Sequence, residues 1–368
     1  MQMLIDCSNC RRTLNLPPGA TTIRCAICHA ITHVAEPRSI PAPHFYYNNI
    51  NHSTPQHLPP SSHCAPYSGS VPWAPAPPNP QGRKKAVICG ISYKGSQFEL
   101  KGCLNDAKCM KYLLMNRFGF PEQSILMLTE EEADPSKRQT KKNIRMALHW
   151  LVLDCQAGDS LVFHYSGHGS QQQDENGDEV DGFDETILPM DFEEEGMILD
   201  DEINDTIVRP LPRGAKLHAI VDACHSGTVL DLPYLCRMTA SGQYKWEDHR
   251  PKNGQNKGTS GGEVFCFSGC DDNQTSADTV ALSKVTSTGA MTFSFIQAVE
   301  EGQASTYGIL LNSMKATIRH TNLLDGAGRV TSILALLLNG RTVLQGLKQE
   351  PQLTASEPFD VYTKPFSL

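Results

Sequence analysis

The 368-residue sequence lacks long apolar runs and any excess of positive charge. No apolar run approaches the ~20 residues that a membrane-spanning helix needs, so we expect no membrane contact. The first residues, Met1–Cys7, lack a basic segment followed by an apolar one, and we therefore predict no secretory signal. Lys and Arg number 32 against 40 Asp and Glu, for a net charge of −8. This balance does not favour nucleic acid as a partner.

The thirteen cysteines are an odd number and are spread along the chain. Without an export signal, this usage is typical of a reducing compartment, where thiols bind metal or act in catalysis. We therefore expect the protein in the cytoplasm, with the nucleus as a second compartment. At ~150 residues per domain, the length predicts about two domains.

Four of the cysteines form two closely spaced pairs near the start of the chain. Cys7-x2-Cys10 and Cys25-x2-Cys28 are separated by fourteen residues. Four thiolates at this spacing are typical of a tetrahedral zinc site, which a segment with so small a core needs for stability. The pattern predicts a zinc finger over residues 1–36, whose few basic residues favour a protein partner.

A proline-rich segment follows this finger. Twelve of the 24 prolines lie in residues 37–80, which carry almost no charge. Such a composition cannot bury enough apolar surface to offset the entropy of ordering. We predict a disordered linker over residues 37–83, acting as a tether or as a docking segment for regulatory proteins.

From Lys84 onward, apolar runs alternate with helical periodicities. This alternation predicts an α/β fold with a mostly parallel sheet and helices on both faces. The predicted strands cover residues 86–91, 124–129, 159–165, 216–221 and 263–267, and the predicted helices cover 103–118, 141–153, 289–300 and 305–318.

Two polar segments interrupt the alternation. Residues 174–205 contain fifteen Asp or Glu and no Lys or Arg. Residues 237–262 are rich in Gly, Asn and Lys without apolar periodicity, which predicts a long mobile loop.

Two predicted strands end in polar, glycine-containing turns. His168 follows the third strand, and Cys224 follows the fourth. The carboxyl ends of parallel strands meet at one edge of a sheet. There an imidazole can generate the reactive thiolate for acyl transfer through a thioester. A buried structural cysteine and a turn-capping histidine are the alternative, but both groups ending strands favours a catalytic pair.

These turns resemble those of the metacaspases in the caspase–haemoglobinase clan, and the finger and linker make the chain similar to plant type I members. The motifs that carry the resemblance are Tyr165-Ser166-Gly167-His168-Gly169, Asp222-Ala223-Cys224-His225-Ser226-Gly227 and Leu100–Asp106. The finger itself resembles the class found in plant cell-death regulators. The resemblance implies a caspase-like sheet, with a large catalytic region at 84–236, a processing loop at 237–262 and a small catalytic region at 263–368.

The resemblance also implies roles for single residues. Cys224 would be the nucleophile and His168 the general base, with the N–H groups of Gly169 and Cys224 forming the oxyanion hole. The substrate pocket would be formed by Asp106, Ser166 and Asp222. Because two carboxylates attract a cationic side chain and repel an acidic one, we expect cleavage of proteins after Arg or Lys.

The resemblance implies that the acidic segment contains a calcium site. Calcium is a hard cation that prefers oxygen ligands. The ligands implied are Asp184, Asp200, Asp201 and Asp231. A solvated acidic loop is the alternative. The processing loop offers Arg237, Lys245, Arg250, Lys252 and Lys257 for self-cleavage.

The family resemblance further implies a part in programmed cell death or stress responses, and nothing in the sequence requires more than a monomer. Two other functions stay open at this point. One is a non-proteolytic regulatory scaffold that acts through the finger. The other is a legumain-like peptidase, for which a secretory leader would be expected.

Overall fold

The computed structural model describes most of the chain from residue 82 onward and four short strands before it. The described residues are 3–6, 13–16, 22–24, 31–33, 82–177, 179, 182–224, 226–251, 254, 256–270, 289–323 and 350–368. The chain divides into two compact units, Met1–Ser68 and Gly69–Leu368. Outside the described residues lie the predicted zinc ligands Cys7, Cys10, Cys25 and Cys28 and almost all of the predicted linker.

The first unit contains two antiparallel strand pairs. Strand β1 (Met3–Asp6) pairs with β2 (Thr13–Leu16), and β3 (Thr22–Arg24) pairs with β4 (Ile31–His33). In sequence, one predicted cysteine pair falls between β1 and β2, and the other falls between β3 and β4.

The second unit is organised around a large mixed sheet. Its eight described strands follow the order β13-β12-β15-β14-β11-β7-β5-β6. Strands β14, β11, β7, β5 and β6 are parallel, whereas β15, β12 and β13 are antiparallel to their neighbours. The bounds are β5 (Lys84–Gly90), β6 (Ile125–Leu128), β7 (Ser160–Ser166), β11 (Lys216–Asp222), β12 (Tyr234–Met238), β13 (Tyr244–Asp248), β14 (Glu263–Cys270) and β15 (Glu350–Ala355).

A second, smaller sheet lies within the acidic segment. It is antiparallel and consists of β8 (Gly169–Gln173), β9 (Phe183–Ile187) and β10 (Ile198–Leu199) in the order β10-β9-β8. These strands are not among those expected from apolar runs, because many of their residues are polar and only the folded chain brings their partners together.

Helices connect the strands. Their bounds are α1 (Cys103–Phe118), α2 (Lys141–Val152), α3 (Phe192–Glu195), α4 (Asp200–Ile203), α5 (Ala290–Glu300) and α6 (Tyr307–Leu323), with short 3-10 helices at Glu122–Ser124 and Pro135–Lys137 and a π-helical turn at Asn204–Val208. Among the described residues, none of the helices is long and apolar enough to cross a membrane.

Both faces of the large sheet are buried, which explains the continuous apolar runs of its parallel strands. On one face, Val87 and Cys89 pack with α2. On the other face, Ala86 and Ile88 pack with α1, α5 and α6. This arrangement confirms the predicted mostly parallel sheet with helices on both faces.

The close approach of α1 to the sheet depends on a glycine. A Cβ atom at Gly90 would lie 2.6 Å from the carbonyl oxygen of Cys103 and 2.9 Å from the Cβ of Ala107. Protein interiors have no room for such an overlap. Gly90 therefore lets the start of α1, with Asp106 in its first turn, lie against the end of β5.

The prediction of one mobile loop over residues 237–262 is wrong for its first half. Residues up to Asp248 extend the large sheet, because β12 and β13 pair as an antiparallel hairpin. Arg237 and Lys245 thus lie on paired strands, directly opposite each other. Lys252 lies outside the described residues.

The predicted boundary at residue 83 also shifts slightly. Arg83 belongs to the folded unit, since its guanidinium pairs with the buried carboxylate of Asp159 at 2.9 Å. Its main-chain N–H donates to the same carboxylate at 2.7 Å.

Candidate active site

The predicted catalytic turns come together because β7 and β11 are direct neighbours. Their parallel register pairs Ser166 with Asp222 at the last position of each strand. The N–H of Gly167 then donates to the carbonyl oxygen of Asp222 at 3.2 Å. His168 and Cys224 each follow this register pair by two residues, so both emerge at the same edge of the sheet.

The turn after β7 touches the turn after β11. A Cβ atom at Gly169 would overlap the carbonyl oxygen of Cys224 and would lie 3.2 Å from the Cβ of Ala223. Only glycine fits there, so the backbone of residue 169 lies directly against that of Cys224. The structure thus brings together the three residues predicted for the dyad and the oxyanion hole.

Two tyrosines hold the main chain of His168 from both sides. The Tyr93 hydroxyl accepts the His168 N–H at 3.1 Å, and the Tyr165 hydroxyl donates to the His168 carbonyl oxygen at 2.8 Å. The Tyr93 hydroxyl also donates to the carbonyl oxygen of Leu188 at 2.6 Å. The rings of Tyr93 and His168 lie 4.8 Å apart. These contacts fix the position of the imidazole before substrate arrives.

A main-chain carbonyl determines which nitrogen of His168 is basic. The Nε2 atom lies 2.9 Å from the carbonyl oxygen of Phe98. Because a carbonyl oxygen can only accept, Nε2 carries the proton and Nδ1 is the basic nitrogen. Burial lowers the pKa of His168, against the opposite effect of the Phe98 hydrogen bond. The imidazole is therefore neutral at neutral pH, as a general base must be. Cys224 itself is half-buried.

Beside this pair lie the three residues predicted for the substrate pocket. The Ser166 hydroxyl donates to the Asp106 carboxylate at 2.8 Å. Burial, followed by the charge of Asp222, raises the pKa of Asp106 well above its ordinary value. Two carboxylates that affect each other in this way lie close together in a region of low dielectric.

The start of α5 supports the second of these carboxylates. The N–H of Thr292 donates to Asp222 Oδ2 at 2.7 Å. Main-chain N–H groups at a helix start stabilise a negative charge. Burial nevertheless raises the pKa of Asp222. Its Oδ1 atom is buried and has no hydrogen-bond partner in the part of the chain that the structure describes.

The four carboxylates predicted as calcium ligands lie around the small acidic sheet, where Asp184, Asp200 and Asp231 are at most 4 % exposed. Burial, followed by the charge of Asp174, raises the pKa of Asp184 to about 6. Burial, followed by the charge of Glu185, raises the pKa of Asp200 to about 10. No three His, Cys, Asp or Glu side chains of the described residues converge closely enough to hold a metal ion.

A lysine side chain enters this acidic region. The Lys257 ammonium is 2.5 Å from Glu179 Oε1 and forms an ion pair with Asp231 as well. Burial alone would lower the pKa of Lys257, but its hydrogen bonds to these two carboxylates raise it. Lys257 is thus a charged, buried part of the folded structure, and in this conformation it is not an exposed site for self-cleavage.

Sequence reasoning missed several residues of these sites. Tyr93, the Phe98 carbonyl and Thr292 lie far from the catalytic turns in sequence, and no local pattern marks them. The sequence marks Lys257 only as a candidate for self-cleavage. The fifteen acidic residues without a basic one in residues 174–205 are the sequence signal for a cation from elsewhere.

Comparisons with known proteins agree with this geometry. The family described as Metacaspase, peptidase C14 domain matches residues 84–233, and the LSD1 zinc finger matches residues 7–31. "Metacaspase-1" of Arabidopsis thaliana is 62 % identical, with 100 % of this chain and 96 % of that protein covered. The chain belongs to the metacaspase family.

Other metacaspases are similar over much of the chain. "Metacaspase-2" of Arabidopsis thaliana is 56 % identical, with all of both chains covered. "Metacaspase-1" of Eremothecium gossypii is 37 % identical over 76 % of this chain and 65 % of that protein. The metacaspase is therefore a cysteine-type peptidase with protein substrates and an N-terminal zinc finger of plant type, which decides against the scaffold alternative.

The hydrogen bond between the Tyr93 hydroxyl and the His168 main chain gives a prediction for the Tyr93→Phe variant. The substitution removes the hydroxyl but keeps the ring against the imidazole, so His168 stays in place on average but is held less firmly. We expect kcat on a peptide substrate to fall by about tenfold with KM nearly unchanged, because only the proton transfer is impaired.

The control is Tyr112→Phe, which removes the hydroxyl of an exposed tyrosine on α1. It should leave both constants unchanged. A Tyr93→Phe enzyme with wild-type kcat, or one in which only KM changes, would contradict a positioning role for the hydroxyl.

Proposed function

We propose that this metacaspase is an endopeptidase that cleaves proteins after Arg or Lys, is supported by calcium and processes itself. The observation that supports the specificity most strongly is the buried Asp106–Asp222 pair next to the catalytic turns. Two adjacent ionised carboxylates in a dry pocket repel each other, and either a proton or a bound cation relieves the repulsion. The Oδ1 atom of Asp222, which has no hydrogen-bond partner among the described residues, would accept hydrogen bonds from a guanidinium or ammonium group.

His168 and Cys224 account for the hydrolysis of the peptide bond. His168 Nδ1 takes the proton of the Cys224 thiol, and the sulfur attacks the carbonyl carbon of the scissile peptide bond. The N–H groups of Gly169 and Cys224 stabilise the resulting oxyanion. The imidazolium then gives its proton to the leaving amine. Water, deprotonated by the same imidazole, hydrolyses the thioester and regenerates the thiol.

The pocket gives a prediction about specificity. Peptides that differ only in the residue before the cleaved bond should be hydrolysed in the order Arg or Lys far above Asp. Asp222→Asn should lower kcat/KM for the arginyl peptide by at least about 100-fold, because a buried charge partner is worth about 2–5 kcal/mol.

The matched control is Asp205→Asn, since this carboxylate forms an ion pair with Arg209 at the surface. It should leave kcat/KM within about twofold. Preference for the aspartyl peptide, or full activity of Asp222→Asn on the arginyl peptide, would refute the proposed pocket.

A calcium site in the acidic region is the second part of the proposal. The donor set fits a hard cation, since all predicted ligands are carboxylates. Asp184 Oδ1 is buried and has no hydrogen-bond partner in the described parts of the chain, as expected for an atom that awaits a cation. Asp231 lies seven residues after Cys224. Calcium bound by Asp184, Asp200, Asp201 and Asp231 would therefore order the segment next to the nucleophile.

Self-processing is the third part. The segment after β13 contains the exposed Arg250, followed in sequence by Lys252 and the buried Lys257. Exposed irregular segments are the usual sites of proteolytic cleavage. The basic residues match the specificity proposed for the pocket, so the enzyme would accept its own segment as a substrate.

One experiment tests calcium support and self-processing together. Purified enzyme in millimolar calcium should hydrolyse the arginyl peptide and show new chain ends within 237–262 by mass spectrometry. In chelator, the rate of peptide hydrolysis and the yield of new chain ends should each fall by at least about tenfold.

Two variants serve as controls. Cys224→Ala in calcium should stay intact, and Asp184→Asn should need more calcium. Equal activity in chelator would refute calcium support, and equal fragments from the Cys224→Ala protein would refute self-processing.

Zinc binding by the finger is supported by the donor set and by its placement in sequence. Each cysteine pair lies between two paired strands, as in zinc sites built from two hairpins. Cys7, Cys10, Cys25 and Cys28 would complete a tetrahedral shell. We expect the finger and the linker to bind regulatory proteins in the cytoplasm or nucleus, in a pathway of cell death or stress response.

The zinc content of the purified protein tests this site. The wild type should contain about one zinc per chain, whereas Cys25→Ser should lose most of it, because three thiolates bind the ion much less tightly. Cys155→Ser, which changes a cysteine of the folded second unit, should retain the zinc. Zinc-free wild-type protein that keeps its partners would contradict the proposed site.

A further inference from the structure

Lys257 is an unusual residue in the acidic region. The residue is only 3 % exposed, and lysine is almost never fully buried unless its charge is paired. The ammonium contacts Glu179 and Asp231, which approach it from separate parts of the chain. A buried ion pair is costly to form, so this arrangement is favourable only because the carboxylates already require a cation.

The position of Lys257 is also fixed through its main chain. The Asn204 side-chain amide donates to the carbonyl oxygens of Leu230 and Asp231, each at 3.0 Å, and to that of Lys257 at 3.3 Å. Asn204 is itself buried. It therefore joins the segment after Cys224 to the segment that carries Lys257, and a movement of one affects the other.

The carboxylates around Lys257 do not form a ready metal site. Glu179 acts on Asp184, Asp200 and Asp231 through its charge, so all four share one region. No three such ligands among the described residues are close enough to one another for an ion. Glu179 and Asp231 are instead arranged around the Lys257 ammonium.

We propose that Lys257 is the internal cation of the acidic region and that calcium displaces it, which releases the segment between β13 and β14. This inference rests on the calcium support proposed above. Calcium requires six to eight oxygen atoms at about 2.3–2.6 Å. Asp231 cannot turn fully toward calcium while its carboxylate holds the ammonium, so the two cations compete for it.

The competition links calcium to the processing segment. When calcium replaces the ammonium, Lys257 loses its buried partners and its side chain gains by returning to water. The bond between Lys257 and Gly258 then becomes accessible to a protease. The calcium-free enzyme would keep Lys257 buried in the acidic region.

Limited proteolysis with trypsin measures this release directly. The full chain with Cys224→Ala is used, so that no self-cleavage contributes. Without calcium, trypsin should cut after the exposed Lys94 but spare the bond between Lys257 and Gly258. In millimolar calcium, cleavage after Lys257 should increase at least about tenfold relative to cleavage after Lys94, because local release sets the rate of cutting.

Calcium titration by calorimetry supplies the second measurement. In the Cys224→Ala background, Lys257→Gln should bind calcium about tenfold more tightly, since the competing cation is gone. Lys257→Arg should bind as the parent does or more weakly. Lys245→Gln, which removes an exposed lysine from β13, controls for net charge and should match the parent within about twofold.

The possible outcomes distinguish the displacement of Lys257 from the calcium support on which it rests. No calcium binding by the parent protein would refute calcium support and the displacement with it. Calcium binding without new cleavage after Lys257 would refute the displacement alone. Equal calcium affinity of Lys257→Gln and its parent would also refute it.

Discussion

The pairing of β7 with β11 is the constraint on which the rest of the site depends. Because Ser166 lies opposite Asp222 at the ends of these strands, everything that follows them emerges at one edge. The catalytic turns, the substrate pocket and the segment leading to Asp231 all begin there. A register shift of one residue would turn every side chain of β11 to the opposite face and separate these groups. Apolar burial on both faces of the two strands opposes such a shift.

Two buried acidic regions use the same physical principle in different ways. In the pocket, Asp106 and Asp222 are both buried, and the proposed substrate would supply a cation to them. Around the small sheet, Lys257 supplies the cation from within the chain. In both places burial raises the pKa of the carboxyl groups. A raised pKa means that these carboxyl groups keep a proton unless a cation lies beside them, so under the proposals above an arriving cation would replace that proton.

Much of the fold and of the candidate site could be predicted from the sequence, and there are physical reasons why the remaining features could not. Parallel strands such as β5 and β7 are marked by short apolar runs, and α2 by its periodicity, since local burial determines both. Strands β8, β12 and β15 are antiparallel and mixed in polarity, and only distant partners define them. The meeting of the turns that carry His168 and Cys224 was predictable because both turns follow parallel strands. Tyr93 and Phe98 were not, because they reach His168 from a turn some seventy residues earlier in the chain.

The central claim is that His168 generates the Cys224 thiolate, and the alkylation rate of Cys224 by iodoacetamide tests it most directly. This uncharged reagent does not need the acidic pocket. Since burial lowers the pKa of His168, the wild-type rate should stay high down to a pH below about 6.5. His168→Ala should react only as pH approaches the ordinary thiol range near 8.5. Identical pH profiles for the two proteins would contradict the account.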